Sequence, residues 1–286
     1  MNIIIPTFEL GCIFALLSLG LFISFKILNL PDLSVDGTFT LGCSVTAIFT
    51  INHHPFLGLV CGFIAGFIAG MICGILQTKL KIQNILAGIL VMSGLYSINL
   101  RITGLNPTIS LYNYPTVFTL IPNSMIPIVL FITVSIIALL MIYFFKTQFG
   151  LALRASGDNE DMVRNSSINT DFMRIIGLAL SNGLVALSGG ILAQYQSYCD
   201  VNSGIGMMVI ALASIMIGDA LIHSKKIHFQ IFACILGAIL YRYLFMIALQ
   251  INISVSDLKL LSALLVILAI SLSQSFKGGN PHVENK

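Results

Sequence analysis

Charge is what this sequence has least of. Only 9% of its 286 residues are Asp, Glu, Lys or Arg, whereas 57% are hydrophobic. A soluble domain carries about 25% charged residues. A surface this poor in charge would aggregate in water, so we infer that the chain is folded in a lipid bilayer. The net charge of +3 is too small to indicate nucleic-acid binding.

Motifs for nucleotide and hydrolytic chemistry are also absent from the sequence. It contains no GxxxxGK[ST] phosphate loop, HExxH, GxSxG or EF-hand pattern. The chain therefore does not hydrolyse ATP through a P-loop, and we expect that it is not an enzyme. Its six cysteines form no CxxC pair, which favours packing residues over a disulfide framework or a metal site. We expect no cofactor and no bound metal.

Long apolar runs are what the sequence does contain. A spanning helix needs roughly 20 apolar residues, and the first run has no basic residue before it, so we interpret it as a retained span rather than a signal peptide. We expect an all-α, polytopic integral membrane helical bundle of about nine spans, forming one domain over residues 1–286 with a C-terminal tail at 276–286. The predicted spans are 8–27, 35–51, 56–77, 84–102, 124–145, 173–194, 206–222, 229–250 and 257–275.

The third run carries glycines at a strict four-residue spacing. This spacing is just over one helical turn, so the glycines form one smooth stripe along the helix. A stripe of small residues lets another backbone approach closely in lipid. We therefore predict a helix-packing seam, in this chain or with a second copy, at Gly62, Gly66, Gly70 and Gly74.

The segment 29–42, NLPDLSVDGTFTLG, places two carboxylates next to an apolar run. Pro31 ends any helix that runs into it. A carboxylate at the bilayer centre costs about 2.5–3.5 kcal/mol on insertion scales. The segment is therefore either an ordinary cytoplasmic turn in which Asp32 caps the second span, or a broken helix lining a wet pathway. The candidate pathway residues here are Asp32, Ser34, Asp36 and Gly37.

A second polar stretch follows the sixth run. Uncharged amides and one acid at the end of a helix suit a small polar solute, and they suit a solvated loop equally well. The candidate pathway residues in this stretch are Gln194, Asp200 and Asn202.

The most polar part of the chain is residues 146–174, which hold 8 of the 25 charged side chains. We predict a water-exposed loop, about 146–172, containing a short helix at about 159–166. Asp158 or Asn159 would cap this helix, and Glu160 and Arg164 are spaced for an i, i+4 pair. A helix this short is only marginally stable alone in water. It would become ordered on docking to a partner protein, with Met162 and Val163 as apolar contacts. A solvated loop is the alternative.

Lys and Arg favour the cytoplasmic side of a membrane protein. Placing the polar loop in the cytoplasm puts 11 of the 14 basic residues there, with the N-terminus outside and the C-terminus inside. These residues are Lys26, Lys79, Lys81, Lys146, Arg154, Arg164, Arg174, Lys225, Lys226, Lys277 and Lys286.

Three motifs stand in a characteristic order: PDLSVDGTFTLG, then FGLALRASGDNEDMVRNSSINTDFMRIIGLALSNGLVALSGGILAQY, then GIGMMVIALASIMIGDAL. Over residues 8–275 the chain resembles the permease subunits of the branched-chain amino acid and ribose class of ABC importers, and most of all the tryptophan/tyrosine transport permease branch. The resemblance implies two related halves of helices around a central pathway.

The resemblance also implies which residues line the pathway, which residues couple to an ATPase and which partner proteins bind the chain. Asp32, Ser34, Asp36 and Gly37 match the pathway motif of the first half, with Gly204 and Gly206 in the matching stretch of the second half. Partners implied are an ABC ATPase subunit, an extracytoplasmic substrate-binding protein and a second permease copy. The ATPase would dock on the stretch 150–172, where the coupling residues are Gly157, Asp158, Asn159, Glu160, Asp161 and Arg164.

We therefore expect a permease that moves a small solute by alternating access. Few charges line the expected cavity, which favours a neutral or zwitterionic solute, and the resemblance indicates an amino acid. A gradient-driven secondary transporter or channel is the alternative, because broken helices in two halves also mark those proteins.

Overall fold

The computed structural model describes residues 3–166, 168–222, 224, 226–250 and 267. Within these residues a π-helical turn, Phe22–Ile27, continues the first helix, and a 3₁₀ turn, Asn123–Met125, precedes the fifth. The ten α-helices described are α1 (Ile4–Leu21), α2 (Val35–Ile51), α3 (Pro55–Thr78), α4 (Asn84–Ile102), α5 (Ile126–Lys146), α6 (Gln148–Asp158), α7 (Glu160–Asn165), α8 (Thr170–Gln196), α9 (Met207–Leu221) and α10 (Ile227–Gln250). Two short strands, β1 (Thr108–Ser110) and β2 (Tyr198–Asp200), pair antiparallel with Ile109 opposite Cys199.

The helices confirm a polytopic helical membrane bundle. Six of the described helices are long and apolar enough to cross a membrane, and α2 and α9 are shorter apolar helices. Each of the first eight predicted spans coincides with one of these eight helices. The ninth predicted span, 257–275, and the tail 276–286 lie outside the described residues, so the number nine is not confirmed.

The two ends of the bundle carry different secondary-structure elements. The end that carries α6 and α7 is called the loop end, and the end that carries β1 and β2 is called the strand end. The proline-containing connection between α4 and α5 covers the strand end, because Leu111 donates its N–H to the Ser197 carbonyl oxygen at 2.8 Å and Val201 donates to Pro107 at 2.9 Å.

The short helix α2 starts in the middle of the bundle. It runs parallel to the second half of α8, since Thr38 bonds Asn182 near the start of α2 and Gln194 bonds Thr50 near its end. Asn182 lies about 18 Å from the start of α8 and about 21 Å from its end, at 1.5 Å per residue. The non-helical residues 28–34 therefore carry the chain from the loop end to mid-depth before α2 begins.

The short helix α9 starts at the same depth from the opposite side. After β2 the chain runs back along α2: Cys199 contacts Ser44, and Gly206 bonds Asp36. Helix α9 then continues to the loop end, where Asp219 forms an ion pair with Lys26. Both short helices thus begin near the centre of the bundle and point their N-termini towards it.

The two halves of the chain repeat one arrangement in opposite directions. A long helix, a non-helical segment, a short helix and a 24-residue helix follow each other in α1–α3, and again in α8–α10. Helix α1 runs towards the loop end, whereas α8 runs away from it. Inverted repeats with interrupted helices near the midplane are typical of membrane transporters.

The glycine stripe of α3 lies against neighbours within the same chain. Gly62 faces α2, where an added Cβ would lie 3.0 Å from Thr46 Oγ1. Gly66, Gly70 and Gly74 face α8; a Cβ on Gly74 would lie 2.7 Å from Ile175 Cα, and one on Gly70 would collide with the Leu178 carbonyl oxygen. Helix α3 therefore packs backbone to backbone on α8, and this contact holds α8 beside the start of α2.

Candidate functional site

A buried polar cluster marks the start of α2, and we call Asp32, Ser34, Thr38 and Asn182 the Asp32 cluster. Asp32 is completely buried, and its carboxylate accepts bonds from Ser34 N at 2.9 Å, Ser34 Oγ at 2.6 Å and Asn182 Nδ2 at 2.7 Å. Asn182 Oδ1 in turn accepts from Thr38 Oγ1 at 2.7 Å. The burial of Asp32 beside the middle of α8 favours the broken helix over a solvent-exposed turn.

Asp36, one turn further along α2, connects the two short helices. Its carboxylate oxygens accept bonds from Gly206 N at 2.9 Å and Met208 N at 2.8 Å. These N–H groups lie at the start of α9, where a carboxylate is stabilised by the helix dipole as well as by the bonds. A Cβ on Gly204 would collide with the Asp36 carbonyl oxygen, so this close approach requires glycine. Asp36 therefore fixes α9 to α2 at mid-depth.

A cavity of about 300 Å³ opens next to Asp36, between α2, α4 and the segment that precedes α9. Two of the four predicted pathway residues of the first half, Asp36 and Gly37, line it, while Asp32 and Ser34 lie in the adjoining Asp32 cluster. The other lining residues are Thr40, Met92, Ser93, Tyr96, Asn99, Val201 and Ile205. Tyr96 is 51% exposed, so the cavity is open on its α4 side in a single chain.

The three predicted pathway residues of the second half lie elsewhere, at the strand end. Gln194 is buried and holds the connections in place: it accepts from Val117 N at 3.1 Å and donates to the Pro55 carbonyl oxygen at 2.9 Å. Asp200 lies in β2 and accepts from Asn202 N at 2.7 Å, and Asn202 is exposed. The structure does not bring these three residues to the cavity.

Sequence reasoning missed the contribution of α4. Ser93, Tyr96 and Asn99 recur every three residues, so they share one face of that helix. A polar face within an apolar run indicates a helix that faces other polar groups, and the sequence alone shows this pattern. Asn182 is likewise the single amide side chain in the apolar stretch 175–193 of α8. Neither pattern predicts which other helix the polar residues contact. The cavity forms only where α4 lies opposite α2, and the sequence does not indicate this contact.

The polar segment near residue 160 forms two helices rather than a loop with one. Helix α7 corresponds to the predicted short helix, and its cap is Asn159, whose Oδ1 accepts from Met162 N at 3.1 Å. Helix α6 was not predicted, although Thr147 caps it by accepting from Gly150 N at 3.2 Å. Asp158, the other predicted cap, instead ends α6 and is exposed.

Some side chains of this predicted docking segment are engaged in contacts within the chain. The Glu160 carboxylate bonds Arg164 at 3.3 Å, as the spacing predicts, and also forms a close ion pair with Arg174 at the start of α8. Val163 is only 4% exposed, whereas Met162 is 69% exposed. The expectation that Val163 contacts a partner is therefore wrong, because Val163 packs within the chain. The exposed residues of this segment include Asp158, Asn159, Asp161, Met162, Arg164 and Asn165.

Helix α6 of this segment contacts the interruption before α2 directly. A Cβ on Gly157 would collide with the Ile27 carbonyl oxygen, so α6 lies backbone to backbone on the end of the π-helical turn. Asn29 Nδ2 donates to the Gly157 carbonyl oxygen at 3.0 Å. The exposed helices at the loop end are thus joined to the segment that leads to Asp32.

The fold and its buried polar centre define a polytopic helical membrane protein built as an inverted repeat with interrupted helices. Residues 3–271 match the family model described as the permease component of the branched-chain amino acid transport system. The chain therefore belongs to this permease family of ABC-type transporters, as its motifs predicted.

Individual relatives agree with this assignment. The chain is 39% identical over 269 residues to a tyrosine transport system permease protein of Clostridioides difficile (strain R20291), covering 93% of this chain and 90% of that protein. It is 37% identical over 279 residues to an uncharacterized protein of Rickettsia prowazekii (strain Madrid E), covering 96% and 98%. An autoinducer 2 import system permease protein of Yersinia enterocolitica is 29% identical over 222 residues, covering 74% and 58%. No solved structure matches the chain.

Proposed function

We propose that this chain is the membrane-spanning subunit of an ATP-driven importer that moves a small solute, an amino acid of aromatic or branched-chain type, by alternating access. The observation that carries the proposal is the contact of α6, the first helix of the exposed pair α6–α7, with the interruption before α2. A motor subunit that binds this pair could move the start of α2 without touching the cavity. The naming of a 39% identical relative as a tyrosine transport permease supports the solute class.

The proposal includes an orientation and three partners. The basic residues gathered at the loop end favour a cytoplasmic position for it, with the N-terminus outside. An ABC ATPase subunit would bind the α6–α7 surface there, and a substrate-binding protein would deliver solute to the strand end, past Gln194, Asp200 and Asn202. A second permease copy would close the cavity on the side where Tyr96 is exposed.

The proposed mechanism depends on α9 and α2 having two arrangements. Coupling requires an element whose equilibrium both the motor and the solute shift. Asp36 joins the two short helices at mid-depth, and the ion pair of Lys26 with Asp219 joins α9 to the end of the π-helical turn. Movement of α6 would be transmitted through Gly157 to this turn and then to the Asp32 cluster, opening the cavity to one side at a time.

Substituting the exposed apolar side chain of the docking surface tests this function. Met162→Ser combined with Asp161→Lys is expected to reduce co-purification of the ATPase subunit by about tenfold, because an apolar contact and an acidic contact are lost together. ATP-driven uptake of L-tyrosine into cells should fall with it. Native mass spectrometry of the wild-type complex should show two permease chains and two ATPase chains.

Met125→Ser is the matched control, because Met125 is 54% exposed at the strand end and lies far from the docking surface. It should leave ATPase binding unchanged. Reversing the charge of Glu160 would be a poorer test of docking, since the Glu160 carboxylate holds α7 to α8. Normal assembly and uptake in the Met162 and Asp161 double variant would contradict the docking role. Uptake that survives ATP depletion while ion gradients remain would instead indicate a secondary transporter.

A further inference from the structure

One wall of the cavity carries a hydrogen-bond acceptor with no partner. Asn99 lines the cavity and is 1% exposed. Its Nδ2 donates to the Gly37 carbonyl oxygen at 3.2 Å, which fixes the orientation of the amide, but its Oδ1 has no hydrogen-bond partner among the described residues. A buried acceptor left without a partner destabilises the folded chain. The amide oxygen is therefore expected to be used when the cavity is occupied.

The rest of the lining shows what could use it. Asp36 is half-buried, and each of its carboxylate oxygens keeps a free lone pair beyond its bond to α9. Among the described residues, those that line the cavity include no Lys, Arg or His, so none of them would neutralise an anionic group. Met92, Tyr96 and Ile205 give the opposite part of the cavity an apolar and aromatic surface. The polar part of the cavity thus favours a hydrogen-bond donor on the solute, and the rest of the cavity favours an apolar group.

We infer that Asn99 and Asp36 select the solute by accepting hydrogen bonds from its ammonium or N–H group, while its apolar part lies against Met92, Tyr96 and Ile205. This rests on the proposed function, because it assigns the solute contacts of the same pathway. It makes Asn99 a specificity-determining residue that the sequence motifs do not include. The solute class is a small primary amine with an apolar or aromatic substituent, with or without a carboxylate.

Direct binding to the purified full-length chain in lipid nanodiscs tests the inference with two probes that share a 4-hydroxyphenylethyl group. Tyramine carries the ammonium group without a carboxylate, and 3-(4-hydroxyphenyl)propanoate carries the carboxylate without an ammonium group. Tyramine should bind saturably to the wild-type chain, and the propanoate should bind at least about tenfold more weakly, because no cation in the lining receives its charge. Equal binding of both probes, or no binding of tyramine, would overturn the inference.

Two substitutions of Asn99 separate recognition from a structural role. Asn99→Leu removes both the oxygen and the nitrogen of the side-chain amide and should weaken tyramine binding by about tenfold or more. Asn99→Asp keeps an acceptor oxygen for the solute but replaces the amide that bonds Gly37, so it should retain most of the binding. If Asn99 served only to hold Gly37, both variants would lose binding alike, and that result would contradict the inference.

Gln77→Leu is the matched control, because Gln77 Oε1 is the other buried oxygen without a partner in the described part of the chain and Gln77 does not line the cavity. It should bind tyramine as the wild type does; a loss equal to that of Asn99→Leu would overturn the assignment. The assay contains neither ATPase nor ATP. Tyramine binding that depends on Asn99, together with uptake that does not need ATP, would therefore refute the importer and leave the site standing.

Discussion

Gly70→Leu is expected to prevent the protein from folding to a stable bundle. A Cβ at this position would already collide with the carbonyl oxygen of Leu178, a backbone atom that cannot rotate away, and would lie 2.7 Å from Asn182 Cβ. Overpacking a filled site lowers the free energy of unfolding by about 1–3 kcal/mol, occasionally more. Because the new side chain would meet backbone atoms that cannot rotate away, we expect a cost at the upper end of this range. Because α3 then cannot rest on α8, Asn182 would also be displaced from Asp32. Size-exclusion chromatography in mild detergent should show aggregated protein.

Gly94→Leu is the matched control for this prediction. Gly94 is also a helical glycine, on α4, but nothing lies within 4 Å of a Cβ added to it. The variant should elute and melt like the wild-type protein, since leucine adds only exposed apolar surface in lipid. A Gly70→Leu protein as stable as Gly94→Leu would show that α3 and α8 are not packed backbone to backbone.

Asp36→Leu is expected to abolish uptake while leaving the chain in the membrane. The substitution removes both acceptors that fix the start of α9 and the charge that faces the cavity. A hydrogen bond to a charged group contributes about 1.5–3 kcal/mol, and 1.4 kcal/mol corresponds to a factor of ten. Loss of the two bonds should therefore lower L-tyrosine uptake by more than about tenfold. Asp36→Asn, which keeps one acceptor oxygen, should retain an intermediate rate.

Glu9→Gln provides the comparison for Asp36. Glu9 is another buried carboxyl, 6% exposed, and it accepts a bond from Tyr195 Oη at 2.7 Å near the strand end. An amide oxygen can accept the same bond, so uptake should stay close to wild type. If Asp36→Leu transports as well as Glu9→Gln, the joining of α2 to α9 has no part in transport.

Helix positions could be predicted from the sequence because lipid imposes a simple rule. A run of roughly 20 apolar residues predicts a span, and the predicted span 84–102 has the same bounds as α4. The four-residue glycine spacing likewise indicates a smooth face. The composition does not indicate what meets that face, since every helix offers apolar side chains.

The site could be predicted only in part, because it depends on which helices meet. Asp32 and Asp36 were recognisable as carboxylates next to an interrupted helix. Asn99 was not, because a single amide in an apolar run is typical of many spans. On the sequence alone, Gln194 and Asp36 are equally suitable for binding a solute. In the structure, however, the Gln194 amide bonds Pro55 and Val117. Val163 and Met162 are neighbours with similar side chains, and only the packing of α7 on the chain shows which one is buried.

The side of the membrane on which α6 and α7 lie can be measured with introduced cysteines. Asn165→Cys places a thiol on the exposed α7 surface, and Tyr112→Cys places one at the strand end, where the native side chain is 85% exposed. The native cysteines give little background: Cys61 is half-buried and the other five are buried. Burial also raises the pKa of the Cys199 thiol to about 11, which keeps it protonated and unreactive at neutral pH.

An impermeant maleimide added to intact cells should label Tyr112→Cys and leave Asn165→Cys unlabelled until the membrane is permeabilised. That result would place the α6–α7 surface in the cytoplasm, within reach of an ATPase. Labelling of Asn165→Cys in intact cells would place this surface outside the cell, where no ATPase subunit could bind it, and would contradict the importer.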